Sequence, residues 1–100
     1  MKSLKNWDSK TWLSSRTYVN SFNSFLLNKK KLSKKSEILD IGCGRGIIFG
    51  SLNKNLRFIN KPIGIDPVFH QDVSKLIDFR NEDALKFLKS NKKKFDLIMI

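Results

Sequence analysis

The sequence has a single cysteine, Cys43. An intramolecular disulfide therefore cannot form, and a zinc cluster built on thiolates is excluded. That scarcity suits a reducing, intracellular setting, so the expected location is the cytoplasm. Long apolar stretches are missing too. No run approaches the ~20 residues of a membrane span, and the opening MKSLKNWDSKTW lacks the unbroken apolar core of a secretion signal. There is no internal repeat and no low-complexity segment beyond short lysine runs. Acidic residues are few: nine Asp and Glu face twenty Lys and Arg, a net charge of +11 over 100 residues.

Charge of that sign attracts RNA, DNA or anionic membrane. Its distribution also has a plainer cause. Lysines and asparagines recur along the whole chain. The densest runs, Lys29-Lys30-Lys31 with Lys34-Lys35 and Lys92-Lys93-Lys94, fall where helix ends are expected. The helix dipole favours cations there. A nucleic-acid partner thus rests on net charge alone, which signals only non-specific attraction. Otherwise the composition is that of a globular protein, 40% hydrophobic and 29% charged, with length for one domain.

Residues 1–36 read as an N-terminal helical segment. Asp8 or Ser9 is placed to cap a short helix carrying Trp12 and Leu13, and Ser14 or Ser15 to cap a second. Tyr18, Val19, Phe22, Phe25 and Leu26 follow at helical spacing, with Asn28 and the lysines ending the helix. The aromatic stripe is expected to pack. An alternative has Trp7 or Trp12 over a ligand pocket as part of a lid. From residue 37 the texture changes. Ile38-Leu39-Asp40-Ile41 reads as a buried strand before a glycine cluster. Ile47, Ile48, Phe49 and Leu52 supply a helix, and 53–60 looks turn-like. Pro62 to Ile65 reads as a second strand and 77–80 as a third. Asn81 is a candidate cap for a helix with Glu82 and Asp83 in its first turn and Ala84, Leu85 and Leu88 on its inner face. Phe95 to Ile100 reads as a fourth strand. Strands alternating with helices imply a doubly wound, parallel α/β sheet. A parallel strand is usually covered on both faces, so the chain is expected to be the first part of a longer protein, truncated after the fourth strand.

The residues with the most chemistry are Asp40-Ile41-Gly42-Cys43-Gly44-Arg45-Gly46, between a strand and a helix. Glycine lets backbone approach a ligand and take positive φ, and the helix start favours an anionic group. The spacing is G-x-G-x-G, and Ile47 occupies the place of the last small residue in the dinucleotide fingerprint. Asp66 closes the second strand about 20 residues beyond Gly46, where an acid is placed to hold ribose hydroxyls.

With an acid two residues before the first glycine, the loop resembles the first motif of class I S-adenosylmethionine (SAM)-dependent methyltransferases, (D/E)-x-G-x-G-x-G. Gly64-Ile65-Asp66, Asp83-Ala84 and Phe95-Asp96-Leu97-Ile98 resemble later motifs of the same family, in order, so the resemblance covers residues 38–100. It implies a Rossmann-like fold, a partial SAM-binding domain over 37–100, and SAM as cofactor. Gly42, Cys43, Gly44 and Gly46 would line its methionine and ribose part. Asp40 would face its amino group, and Asp66, with Pro67 beside it, the ribose hydroxyls. Asp83 and the Ala84 backbone would read adenine. Asp96 is expected to be structural, Cys43 a small loop residue without a partnered base, and His70 a loop residue near the pocket. One departure stands out: the family's helix between the second and third strands has only Pro67 to Leu76 here, enough for one or two turns, with Val68, Phe69 and His70 as pocket wall.

Because SAM carries an activated methyl group, such an enzyme mainly aligns the acceptor and excludes water. Its acid or base residues would lie beyond Ile100, so the catalytic residues are unknown from this stretch. The expected acceptor is a small or lipid-like molecule. The alternatives are an RNA or DNA methyltransferase, a non-catalytic SAM- or nucleic-acid-binding module, and, disfavoured by Ile47, a nicotinamide oxidoreductase.

Overall fold

A computed structural model of the chain describes residues 16–100. The expected first helix with Trp12 and Leu13, the caps at Asp8, Ser9, Ser14 and Ser15, and a lid from Trp7 or Trp12 lie outside the described residues. The described elements are α1 (Arg16–Lys29), β1 (Ile38–Ile41), α2 (Ile47–Leu56), β2 (Ile63–Ile65), β3 (Asp78–Arg80), α3 (Ala84–Ser90) and β4 (Leu97–Met99). The four strands form one all-parallel sheet in the order β3-β2-β1-β4.

Alternation along β1 sorts the core. Ile38 turns to one face, where it packs with Leu26 of α1, Phe49 and Leu52 of α2, Phe58 and Ile77. Leu39 turns to the other, with Ile63 and Ile65 of β2 and Phe87 of α3. Helices therefore cover both faces, which makes the sheet a Rossmann-like, doubly wound one. Among the described residues no helix is long and apolar enough to cross a membrane.

Several expectations need correction. Helix α1 stops at Lys29, where Asn28 and the lysines are expected to end it, and residues 30–36 form a turn-rich link, with Lys31 at φ 52°. Polar 53–60 does not start as a turn, because α2 runs to Leu56. Buried Asn53 explains how: its Oδ1 accepts from the Phe58 N–H at 2.7 Å while its Nδ2 donates to Leu76 O at 2.8 Å. Asn81 does not cap α3. Its amide donates to Asp66 O and Pro67 O at 2.9 and 3.0 Å, and Asp83 is the cap, accepting from the Leu85 N–H at 3.3 Å. The inner face of α3 is Phe87, whereas Leu85 and Leu88 are exposed. The fourth strand spans only Leu97–Met99.

No helix forms between β2 and β3. The segment instead satisfies its backbone through outside groups. Besides the Asn81 and Asn53 bonds, the Ser74 N–H donates to Arg45 O at 2.9 Å, and Lys61 Nζ donates to Lys75 O at 2.9 Å.

Candidate functional site

In a parallel sheet, ligands bind outside the carboxyl ends of the strands, where the strand order reverses. Here the chain runs outward from β1 to β3 and then returns to the other side of β1 as β4. The reversal lies between β1 and β4. A cavity of about 510 Å³ sits there, lined by the loop after β1 and by Met99 and Ile100 at the end of β4. Ile47 and Ile48 of α2, Tyr18 of α1, and His70 and Asp72 from the β2–β3 segment close its sides.

The loop owes its shape to three residues in the left-handed region: Gly42 at φ 77°, Gly44 at 58° and Gly46 at 72°. L side chains rarely tolerate that conformation. Beyond φ, the three differ. A Cβ at Gly42 or Gly44 would meet nothing within 4 Å. A Cβ at Gly46 would run into Ile77, lying 2.9 Å from its Cγ1. Gly42 and Gly44 line the cavity, and Gly46 does not. The glycine motif is therefore two residues facing open space and one serving the core.

Asp40 lies at the base of this loop, on the β1 face that carries Ile38, beside Gly64 of β2 and Met99 of β4 in register. It lines the cavity and is 7% exposed. Among the described residues no N–H or O–H donates to its carboxylate. Burial, and secondarily the nearby Asp66 charge, push its carboxyl up from 3.8 to about 7. Near neutral pH it is an uncompensated carboxylate poised to ionise beside a cationic partner.

Asp66, 9% exposed, is used differently. One oxygen accepts from the Gly44 N–H at 2.8 Å and the other from the Val68 N–H at 2.9 Å. It ties the end of β2 to the glycine loop and sits behind Gly44 rather than on the cavity wall. Each oxygen keeps lone-pair capacity. His70 Nε2 stands 4.0 Å from Asp66 Oδ2. Cys43 donates its S–H to Gly44 O at 3.4 Å. Burial, with the Asp40 and Asp66 charges, pushes its thiol up to about 12, so it is a neutral wall residue and no nucleophile.

The structure thus brings Asp40, Gly42, Cys43, Gly44 and His70 together at the cavity. Pro67, Asp83 and Ala84 are outside its lining, and Val68 and Phe69, expected in the wall, are exposed. Arg45 and Asp72, paired at 3.0 Å, join the glycine loop to the β2–β3 segment. No pattern in the sequence pointed to Asp72. Met99 and Ile100 were findable, since the strand-order reversal puts the end of β4 beside the loop. Among the described residues no three His, Cys, Asp or Glu side chains gather as a metal-binding group. No family model and no curated protein matches the chain.

Proposed function

We propose that the cavity binds S-adenosylmethionine and that the protein is a SAM-dependent methyltransferase acting on a small-molecule acceptor. Asp40 carries the reading. A buried carboxylate without a donor, under two glycines that leave space open, suits a ligand bearing positive charge beside a chain thin enough to lie on backbone. The amino group of SAM is such a charge. In this reading Asp66 sets the loop from behind the cavity wall by holding the Gly44 N–H. Bound SAM would supply the activated methyl group. The chain's own contribution is to hold the methionyl end at Asp40 and to shield it with Tyr18, Ile47, Ile48 and Met99, which limit water. A volume of about 510 Å³ is within the range of small-molecule sites. A cytoplasmic location goes with this reading, where the one thiol stays reduced.

Calorimetry with SAM tests it. The chain should bind SAM, with affinity rising through about pH 7 and then levelling, because Asp40 must lose its proton to pair with a cation. Asp40→Asn should weaken binding at least about tenfold near pH 8, ~1.4 kcal/mol, and abolish the pH dependence. Adenosine, which has no amino-acid end, should not respond to the substitution. No binding of SAM, or a variant whose SAM affinity and pH profile match the parent's, would sink the proposal.

A further inference from the structure

We propose that the amino-terminal end of the sheet, opposite the cavity, is a docking surface for the phosphodiester backbone of a nucleic acid. The inference does not depend on what the cavity holds. Parallel strands all begin at the same end, so the links entering β1, β2 and β4 meet there. Their meeting is visible in hydrogen bonds. The Ile59 N–H donates to Lys34 O at 2.8 Å, Asn60 Nδ2 to Glu37 Oε1 at 2.7 Å, and the Asp96 N–H to Glu37 O at 2.8 Å. The lysine runs that are distant in sequence therefore form one pole. Lys30, Lys31, Lys34 and Lys35 come from the first link. Arg57 and Lys61 come from the second, and Lys92, Lys93 and Lys94 from the third. All are exposed.

Helix dipoles explain only part of this. Lys29, Lys54 and Lys89 occupy the last turns of α1, α2 and α3. The dipole effect fades beyond that turn, and of the nine cations only Lys30 and Arg57 sit at helix caps. Among the described residues the local acids pair with only one of the nine, Lys93. Glu37 is held by Asn60 and by Lys93 at 3.0 Å. Asp96 accepts from the Glu37 N–H at 2.7 Å, and Asp78 is paired with Arg80 at 3.1 Å. The pole is also concave. A groove of about 860 Å³ runs from it along β3, lined by Lys61, Arg80, Lys92 and Lys93, with Asp78 and Glu82.

A polyanion is the partner this charge fits, and nucleic acid suits it better than a membrane. Membrane-docking surfaces set several apolar side chains among their cations. Among the exposed large hydrophobics of the described residues, only Ile59 belongs to these three links. Among the described residues no aromatic platform is exposed there for base stacking, so the contact is to phosphates and indifferent to sequence.

Fluorescence anisotropy with a labelled, mixed-sequence RNA of about 20 nucleotides tests the surface. Binding should weaken linearly in log–log terms as salt rises. Lys34→Gln/Lys35→Gln/Lys92→Gln should weaken it at least about tenfold and lower the salt slope by about 2, three contacts at about 0.7 each. Asn20→Glu/Lys86→Glu changes net charge equally, at exposed positions on α1 and α3 away from the pole. It should stay within about twofold of the parent. Equal losses in the two variants would show that total charge alone acts, and would overturn the proposal. So would absence of RNA binding, or a preference for phosphatidylserine vesicles over RNA at matched anion concentration.

Discussion

At the carboxyl ends of the strands side chains are missing or buried, and at the amino ends they are long, charged and in water. The carboxyl end holds Gly42, Gly44 and Gly46 in left-handed backbone and carries the carboxylates Asp40 and Asp66 with little exposure. The amino end gathers lysines around Glu37, where an ion pair and hydrogen bonds made by side chains tie the links together. The same sheet thus frames a cavity with buried groups at one end and presents solvated charge at the other. A cavity needs the first, since its shape is its specificity. A surface for a repeating polyanion needs only the second, since phosphate contacts tolerate loose geometry.

The largest effect is expected for Gly64→Val, in β2 beneath the glycine loop. A Cβ at Gly64 would lie 2.7 Å from Cys43 Sγ and 2.9 Å from Ile77 Cδ1, inside a strand paired on both sides. Cys43 borders the cavity and can shift, but Ile77 is buried, so urea unfolding should show a loss of roughly 3 kcal/mol or more. A loss under about 1 kcal/mol would mean the region is not packed as described. Next in size is Asp40. Its carboxyl is raised from 3.8 to about 7, so the folded chain holds this proton more tightly than the unfolded one. Stability should therefore fall as pH rises from about 4 to about 7 and then level, by roughly 2–4 kcal/mol in total. Asp40→Asn should remove that fall. If the parent and variant stability curves stay parallel over this range, Asp40 is not the buried, unpaired group inferred here.

How much of this was legible in the sequence follows the same division. Strand β1 could be read because the mostly apolar run from Ile38 to Ile41 is followed by Gly42, where the chain turns into positive φ. The glycine loop's place at a strand's carboxyl end followed from the same residues. Which glycines face the cavity did not, because that depends on where Ile77, far along the chain, lays its side chain. Asn81 and Asp83 are both good caps by type. The choice between them was made by the carbonyls of Asp66 and Pro67, which the Asn81 amide reaches across the crossover. The inner face of α3 was misread for a related reason: seven residues make too few turns for periodicity to separate Phe87 from Leu85 and Leu88. The basic pole was hidden because its lysines are scattered in sequence and meet only through parallel topology.

The smallest effect tells the two ends apart most clearly, because its sign is reversed. Glu37 is the central acid of the basic pole. The hydrogen bond from Asn60, then that from Lys93, hold its carboxyl below the usual 4.5. A lowered carboxylate stabilises the fold above its unfolded pKa, and the benefit is lost as pH falls through the folded one. Glu37→Gln should therefore cost stability at neutral pH and cost nothing in acid, the mirror image of Asp40→Asn. The loss should be under about 1 kcal/mol, because the pair is partly exposed and screened by water. It should shrink further in high salt, which the Asp40 effect should not, since burial shields Asp40 from ions. Chemical denaturation of both variants at about pH 4 and about pH 8, with and without added salt, reads the two signs side by side. If Glu37→Gln stabilises the fold at neutral pH, the carboxylate is crowded rather than held, and the amino end is not the loosely tied, cation-dominated surface the RNA proposal needs.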